Sequence, residues 1–332
     1  MSENQFSVQV DDLTKSYGTL KAISGLSFSI LEGEIVGFLG PNGAGKSTTM
    51  RILTGILQAT SGKVSIFGHS VAAYPDKIKS LIGYMPENNP LPEDLRVNEY
   101  LRFRGRLKGL GSRALRQAVN RVCETCELDR RTCRKPIRSL SKGFRQRVGI
   151  ADTLLTEPKL IILDEPTIGL DPHQVRTFRA LLDSLRSRHT VIISSHILPE
   201  IERICDRCII INRGQLVACG TPGELRTSFL PGSTYEILIE GDFEPLHQIL
   251  QQIDSEFKIE DSSRVGEDRL RRLLVSHPGN TNQVSEILAN AAQQSFPVRI
   301  HGITQKEATL EDIFVAATRK EHLSSQAINQ AA

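Results

Sequence analysis

Apolar runs dominate three short stretches in the first two thirds of the chain, at 34–39, 159–163 and 190–194. Continuous runs of this kind are typical of strands that are buried on both faces of a parallel sheet. Helical spacing over 176–186 connects the last two runs, so the pattern predicts a strand–helix–strand core. Further strands are predicted around this core, at 6–10, 26–30, 62–68, 81–85 and 208–212, with a hairpin at Arg213 and Gly214.

Two other parts of the chain follow different patterns. Residues 97–156 have helical spacing without strand alternation, which predicts a helical insertion, with a helical subdomain over about 88–156. Beyond 225–232 the pattern reads strand, helix, strand, strand, helix, strand, helix, at 235–240, 244–253, 257–261, 269–276, 282–293, 298–303 and 310–320. This order predicts a ferredoxin-like βαββαβ domain. The expected domains are therefore 1–225 and 226–321, followed by a small polar tail, 322–332, that is predicted to be disordered.

The composition is that of a globular protein, with 332 residues of which 39% are hydrophobic and 24% charged. No run reaches the roughly eighteen apolar residues that a membrane helix needs, and the first residues lack the basic and apolar regions of a signal peptide. We therefore expect a cytoplasmic protein whose membrane role, if it has one, comes through a partner.

Positive charge is concentrated in one segment. Between Arg96 and Arg147 there are sixteen Lys or Arg residues and four acidic residues, a local net charge of +12 in a chain whose total is +3. Such an excess points to an anionic neighbour, either lipid headgroups or nucleic acid. The alternative is a helical face that is merely solvated.

The six cysteines fit a reducing compartment, where disulfides are rare. Two CxxC pairs, Cys123 with Cys126 and Cys205 with Cys208, could together be interpreted as a zinc site. Both pairs lie in segments with apolar periodicity and without glycine or proline turns, so a metal site is not favoured.

A phosphate-binding loop follows the apolar run 34–39 and leads into a predicted helix. Its residues are Gly40, Pro41, Asn42, Gly43, Ala44, Gly45, Lys46, Ser47 and Thr48. The glycines allow backbone N–H groups to turn around phosphate oxygens, and the helix N-terminus adds positive potential. In the GxxxxGK[ST] pattern, Lys46 reaches the β- and γ-phosphates and Ser47 offers its hydroxyl to Mg²⁺. The chain is predicted to bind a nucleoside triphosphate.

Four further motifs narrow the choice among phosphate-loop proteins. They are Leu140–Arg147, Leu160–Pro166, Gly169–Pro172 and Ser194–His196. Their set and order resemble the ATP-binding subunits of ABC transporters, and the resemblance covers residues 6–225. It implies an α/β P-loop NTPase domain with a parallel-sheet core, an antiparallel β subdomain and a helical subdomain.

The resemblance also implies roles for single residues, with ATP and Mg²⁺ as cofactors. Tyr17 would stack on adenine, and Asp164 would bind Mg²⁺ together with Ser47 and Glu87. Glu165 would be the general base for the attacking water. His196 would contact the γ-phosphate, so that Glu165, His196 and Lys46 form the catalytic set.

The signature segment implies a dimer. In the family, Ser141 and the Gly143 backbone close on the γ-phosphate bound by another subunit, and Asp171 communicates with that subunit. One chain has one phosphate loop and one signature, so two composite sites require two subunits. A homodimer is the simplest closure, and a heterodimer with a related ATPase is the alternative.

Departures from the usual family pattern refine the placement. Lys142 and Phe144 stand where glycine and glutamine are usual, and Glu87 replaces a usual glutamine. Together with the ending Leu310–Phe314, these resemble exporter ATPases of the antibiotic-resistance, gliding-motility and copper-maturation kind. We expect an ATP-hydrolysing subunit that works with a separate permease at the cytoplasmic face of the membrane.

The alternative function is a soluble ABC ATPase that acts on nucleic acid or ribosomes. Its relatives carry two cassettes or a long coiled-coil insertion, and this chain has neither feature. Specific nucleic-acid binding is therefore not expected, while an anionic membrane surface stays open as a partner. The sequence names no transported substrate.

Overall fold

The computed structural model describes most of the chain, but not every residue. The described residues are 6–186, 188–240, 248, 250–252, 254–264, 270–279, 284 and 299–318, without the side chains of residues 200 and 260–264. The chain divides into two compact units, Met1–Pro222 and Gly223–Ala332. The helix predicted at 282–293 falls almost wholly outside the described residues, as does much of 244–253, and the predicted tail 322–332 falls entirely outside them.

The strands of the first unit form two sheets. In chain order they are β1 (Phe6–Tyr17), β2 (Leu20–Leu31), β3 (Ile35–Leu39), β4 (Ser61–Ile66), β5 (His69–Ser70), β6 (Ile82–Met85), β7 (Leu160–Asp164), β8 (Thr190–Ser195), β9 (Arg207–Asn212) and β10 (Gln215–Gly220). One sheet has the order β2-β1-β4-β5 and is antiparallel. The other has the order β10-β9-β3-β8-β7-β6 and is parallel except for β10. These sheets confirm the predicted parallel core and antiparallel subdomain.

The first unit also contains α-helices. They are α1 (Lys46–Leu53), α2 (Pro75–Leu81), α3 (Val97–Leu107), α4 (Ser112–Thr125), α5 (Arg130–Cys133), α6 (Lys142–Leu154), α7 (Pro172–Leu185) and α8 (Leu198–Glu202). Helices α3 to α6 and a 3-10 turn at Ile137–Ser139 occupy the predicted helical insertion. In the described part of the chain, no helix is long and apolar enough to cross a membrane.

The first two strands of the chain, β1 and β2, are longer than predicted. The predictions 6–10 and 26–30 stopped where polar residues interrupt the apolar alternation, whereas β1 and β2 pair as far as Tyr17 with Leu20 through several register shifts. These shifts let Leu13 and Ile23 reach the core beyond the predicted strand ends.

The parallel sheet brings the motif-bearing loops together. Strands β3, β8 and β7 are neighbours, and all three are almost fully buried. The phosphate loop follows β3, Asp164 ends β7, and His196 follows β8. Because the carboxyl ends of parallel strands meet at one edge of the sheet, the candidate residues converge there.

The second unit begins within α9 (Pro222–Phe229) and contains a four-stranded antiparallel sheet. Its strands are β11 (Ser233–Glu240), β12 (Lys258–Arg264), β13 (Leu270–His277) and β14 (Arg299–Lys306), in the order β12-β13-β11-β14. This interleaving is the one expected of a split βαβ arrangement, and it confirms the predicted sheet. A last helix, α10, covers 310–318.

Candidate functional site

The phosphate loop is shaped by glycines that no other residue could replace without strain. Gly45 has a φ of 103°, and a Cβ there would lie 2.7 Å from the Ala22 carbonyl oxygen. Helix α1 begins at the next residue and has no side-chain cap at its N-terminus. The N–H groups of its first turn are therefore left for an anion, which a helix N-terminus also favours electrostatically.

Lys46 is the cation of this loop and is only 6% exposed. Its ammonium donates to the Gly40 carbonyl at 2.8 Å and to the Pro41 carbonyl at 3.4 Å. The same nitrogen lies 3.5 Å from Glu165 Oε1. A buried ammonium held by two carbonyls and a carboxylate can turn toward phosphate oxygens with little desolvation cost, because it is already out of water.

Asp164, at the end of β7, contacts hydroxyl groups from two other elements. The Ser47 hydroxyl lies 3.4 Å from Asp164 Oδ1, and the Ser194 hydroxyl donates to the same oxygen. With the Glu87 carboxylate on the cavity wall, the available donors are all hard oxygens. This donor chemistry fits Mg²⁺, which prefers oxygen ligands and keeps several waters. The sequence places Ser194 in a motif but does not predict its hydrogen bond to Asp164.

Glu165 is held in place from both its backbone and its side chain. Its backbone has a φ of 50°, and its N–H donates to the Ser194 carbonyl at 3.2 Å and to the Ser194 hydroxyl at 2.9 Å. Its Oε2 lies 2.8 Å from His196 Nδ1, while Oε1 faces Lys46. The carboxylate is thus buried between two nitrogen groups and aimed into the site.

A tyrosine adds to the polar surroundings of Asp164. Burial raises the pKa of Tyr84 to about 12, and the charges of Asp164 and Glu87 act in the same direction against that of Arg51. Tyr84 therefore keeps its proton at neutral pH. It lies on β6, in a short apolar strand that carried no functional signal in the sequence.

Lys46, Ser47, Glu87, Glu165 and His196 face a cavity of about 360 Å³. Its walls are formed by Ala22, Pro41, Asn42, Gly43, Gly45, Lys46, Ser47, Thr48, Glu87, Glu165, Ile168 and His196. The sequence singled out most of them but missed Ala22 and Ile168, which lie near motifs without belonging to them. The cavity is large enough for a bound polyphosphate group and places a carboxylate beside it.

Seven predicted site residues do not line this cavity, namely Tyr17, Gly40, Ala44, Ser141, Gly143, Asp164 and Asp171. Tyr17 is 47% exposed at the end of β1, with Lys15 Nζ 5.2 Å from the centre of its ring. Ser141 caps α6 by accepting from the Phe144 N–H at 3.5 Å. Asp171 caps α7 by accepting from two backbone N–H groups at 2.9 Å.

Gly143, which also lies outside the cavity, packs against α7. A Cβ at Gly143 would lie 2.6 Å from Gln174 Cδ. The signature segment is therefore fitted to α7 within its own chain, while the cavity that contains Lys46 is lined by other residues.

Comparison with known proteins finds similarity to the ATP-binding proteins of ABC transporters. The family model described as ABC transporter matches residues 23–168. The bacitracin transport ATP-binding protein of Bacillus licheniformis is 34% identical over 93% of this chain and 96% of its own length. The Nod factor export ATP-binding protein I of Ralstonia nicotianae is 36% identical over 66% of this chain and 68% of its own length.

One solved structure of an ATP-binding cassette is similar to this chain in fold and in sequence. It is the dimeric structure of a post-hydrolysis state of an ATP-binding cassette bound to ADP and Pi. It is 26% identical with a TM-score of 0.60, over 64% of this chain and 98% of that one.

Proposed function

We propose a function from one premise, which is that this chain belongs to the ABC transporter family of ATP-binding proteins. It is an ATP-binding ATPase of that family. We infer that the triphosphate lies along the first turn of α1, where Lys46 and the N–H groups of Gly45–Thr48 face the cavity. Mg²⁺ would be held by Ser47, Asp164 and Glu87 and would neutralise charge on the phosphates.

One observation carries the catalytic proposal, namely the position of the Glu165 carboxylate. One of its oxygens faces Lys46 Nζ at 3.5 Å and the other contacts His196 Nδ1 at 2.8 Å. A carboxylate fixed in this way beside a phosphate site can orient a water molecule and accept its proton. His196 would hold the carboxylate and contact the γ-phosphate at the cavity wall.

The roles of Lys46 and Glu165 are then linked. In the proposed reaction, Lys46 transfers its contact from the Glu165 carboxylate to phosphate oxygens when ATP enters. This frees Glu165 Oε1 for the attacking water, while Oε2 stays bound to His196. Charge on the transferring phosphoryl group is stabilised by Lys46 and by the helix N-terminus.

The replacement Glu165→Gln tests this mechanism. We expect ATP turnover to fall by about 10²-fold or more, because glutamine keeps the shape but cannot accept the proton. Nucleotide affinity should stay close to that of the wild type, since the phosphate loop is unchanged. Turnover is measured by phosphate release and affinity by a fluorescent ATP analogue.

The control is Glu32→Gln, an exposed glutamate in the turn between β2 and β3. It should leave turnover unchanged. Glu165→Gln should also trap an ATP-bound dimer that is visible by size-exclusion chromatography. A variant that turns over ATP at the wild-type rate, or that stays monomeric with saturating ATP and Mg²⁺, would refute the proposed mechanism.

We propose that the working unit is a homodimer with two composite sites. Ser141, Gly143 and Asp171 lie outside the cavity of their own chain, and Ser141 is exposed at the N-terminus of α6. This placement supports a role for the signature in closing the cavity of a second copy. ATP bound between the two subunits would hold them together, and hydrolysis would release them.

We propose that the chain supplies ATP-driven motion to a separate permease in an export system. The support is the similarity to proteins whose names describe bacitracin transport and Nod factor export. The ATPase would act at the cytoplasmic face of the membrane through that permease.

The basic helical segment supports a second contact, with anionic lipid. Several of its cations are exposed and take part in no ion pair among the described residues: Arg102, Arg106, Arg113, Arg116, Arg130, Arg131, Arg134 and Lys135. On α3, Arg102 and Arg106 stand next to the exposed apolar residues Phe103 and Leu107. Each such cation contributes about 1 kcal/mol near an anionic membrane surface.

Vesicle flotation tests this contact. The full chain should float with phosphatidylglycerol-containing vesicles and not with neutral ones, and the double variant Arg102→Gln/Arg106→Gln should reduce the bound fraction several-fold. The matched control is Arg299→Gln/Lys306→Gln, which removes the same charge from exposed positions on β14. Equal binding of both double variants would refute a role for α3, and salt-sensitive binding to DNA instead of vesicles would favour the nucleic-acid alternative.

A further inference from the structure

Two cysteine sulfurs lie in contact at a corner of the helical insertion. Cys123 is in the last turn of α4, Cys133 is the last residue of α5, and their Sγ atoms are 3.4 Å apart. Both side chains are half-buried, so neither is sealed from small solutes. The other CxxC cysteine of this segment, Cys126, is buried and only 2% exposed.

The corner between the helices is built so that the two thiols meet. Glu127 adopts a left-handed conformation with a φ of 51°, and the Leu128 N–H donates to the Cys123 carbonyl at 2.8 Å. Asp129 then caps α5 by accepting from the Thr132 N–H at 2.6 Å. A helix end, a tight turn and a cap therefore fix both cysteines independently of their sulfur contact.

The pair also has the asymmetry of an attacking and a resolving thiol. The sulfur–sulfur contact with Cys123 lowers the pKa of the Cys133 thiol, whereas the same contact and burial raise the pKa of Cys123. Cys133 therefore forms the thiolate more readily. A thiolate is the species that reacts with peroxides, and a neighbouring thiol then resolves the product.

We propose that Cys123 and Cys133 are a thiol–disulfide pair which a hydroperoxide oxidises to an intramolecular disulfide. The disulfide ties the end of α4 to the end of α5. It is independent of ATP chemistry, so its test does not depend on the proposed function. The pair fits a protein whose thiols are reduced at rest and oxidised only on exposure to peroxide.

The reaction balances in two steps. The Cys133 thiolate attacks one oxygen of hydrogen peroxide, the O–O bond breaks, and a sulfenic acid and hydroxide form; the hydroxide takes up the proton released by the thiol and becomes water. The Cys123 sulfur then attacks the sulfenic sulfur, its proton leaves with the departing hydroxide as a second water, and the S–S bond forms. Two thiols are oxidised and one peroxide is reduced. A dithiol reductant reverses the reaction by exchange.

The test treats the reduced full chain with a few equivalents of hydrogen peroxide and then blocks free thiols with iodoacetamide. Trypsin together with a glutamate-specific protease is used for peptide mapping, because cleavage after Glu124 separates Cys123 from Cys126. We expect one new cross-linked species that joins the peptides of Cys123 and Cys133, about 2 Da lighter than their sum. Cys126 and the exposed Cys219 should be alkylated.

Two variants separate the proposed roles. Cys123→Ser keeps a hydrogen-bond donor but cannot resolve, so Cys133 should accumulate sulfenic acid that dimedone traps. Cys133→Ser should abolish both the cross-link and the dimedone adduct, while the control Cys126→Ser should still form the cross-link. Binding of a fluorescent ATP analogue by each variant verifies that it is folded.

The proposal is overturned if Cys123 and Cys133 both remain alkylated at a peroxide dose that oxidises Cys219. It is also overturned if the main cross-link involves Cys126, or if Cys133→Ser is oxidised at Cys123 as readily as the wild type.

Discussion

Glu165 shows at the scale of one residue how the fold holds a reactive group. A glutamate at a φ of 50° lies in a region that side chains with a Cβ enter at a cost of about 1–2 kcal/mol. Two hydrogen bonds from its N–H to Ser194, at the end of the neighbouring strand, hold it there. This left-handed backbone conformation turns the Glu165 side chain away from the strand direction and toward Lys46 and His196. The rigid parallel sheet therefore sets the direction of the carboxylate.

His189 gives a prediction for the dependence of stability on pH. It is buried, and its Nδ1 lies 2.6 Å from the Pro158 carbonyl, so Nδ1 carries the proton and donates. Burial lowers the pKa of His189 in spite of this bond, and the nearby Arg188 acts in the same direction. The unfolded chain therefore binds a proton at this site more readily than the folded one, and stability is lost as pH falls through the unfolded value of about 6.5.

The measurement is the melting temperature of wild type and His189→Gln between about pH 8 and pH 5.5. Glutamine can still donate to the Pro158 carbonyl but does not titrate, so the variant should lose less stability on acidification. His173→Gln, at an exposed position at the start of α7, is the control and should keep the wild-type slope. Equal slopes for the wild type and both variants would show that His189 titrates alike in the folded and unfolded states, which would contradict the prediction.

At the scale of elements, the sequence-based predictions are most accurate for strands that are buried on both faces. β7 is shifted by one residue from the predicted strand 159–163, and β8 ends one residue beyond the predicted strand 190–194. The agreement is close because a strand with both faces covered is apolar throughout. Helix α7 begins at Pro172, four residues before the predicted start, because Asp171 caps it and proline suits a first turn.

The site was predictable to the extent that it lies in local motifs. Lys46, Glu165 and His196 are recognisable because each stands at a fixed place in a motif, and the structure brings all three to one cavity. Ala22 and Tyr84 could not be found in this way. Tyr84 lies near the site because β6 pairs with the distant strand β7, and Ala22 because its carbonyl lies beside Gly45. No local pattern encodes either contact.

Asp152 gives a prediction about how two helices are joined. It lies on α6, only 7% exposed, and accepts from Arg104 at 2.9 Å and from the Tyr100 hydroxyl at 3.2 Å, with Lys108 Nζ at 3.1 Å. Asp152→Ala would leave two partly buried cations, Arg104 of α3 and Lys108 directly after it, without their partner. Because both cations keep some contact with water, we expect a loss of about 2–3 kcal/mol of unfolding free energy, below the cost for a fully buried pair.

Chemical denaturation with circular dichroism measures this loss. The matched control is Asp94→Ala, which removes an aspartate whose partner Arg138 is 66% exposed. This change should cost less than about 1 kcal/mol. Similar costs for the two variants would mean that the cluster at Asp152 does not join α3 to α6.

At the scale of the whole molecule, the residues that face the nucleotide cavity and the signature residue proposed to close it lie at different places on the chain. The cavity with Lys46 and the exposed Ser141 belong to the same compact unit, yet Ser141 does not line that cavity. The predicted domain boundary at 225 falls inside α9, whose Arg226 bonds to Ala308 and Glu307 of the second unit. A homodimer would pair the phosphate loop of each copy with the signature of the other.

Mixing two inactive variants tests this pairing. Lys46→Ala removes the phosphate cation, and Ser141→Arg blocks the signature, so each homodimer has two defective sites. A mixed dimer regains one intact site, which joins the phosphate loop of the Ser141→Arg chain to the signature of the Lys46→Ala chain. Since half of the dimers in an equal mixture are mixed, turnover should return to about a quarter of the wild-type value.

The control for this experiment follows from the geometry of the cavity. Lys46 and Glu165 face one another at 3.5 Å in the same chain, so a mixture of Lys46→Ala and Glu165→Gln leaves every site defective and should regain no turnover. Recovery in the first mixture alone would require that Ser141 act in trans, because no arrangement within one chain restores a site. Recovery in neither mixture would contradict a composite site between identical subunits and favour pairing with a different ATPase chain.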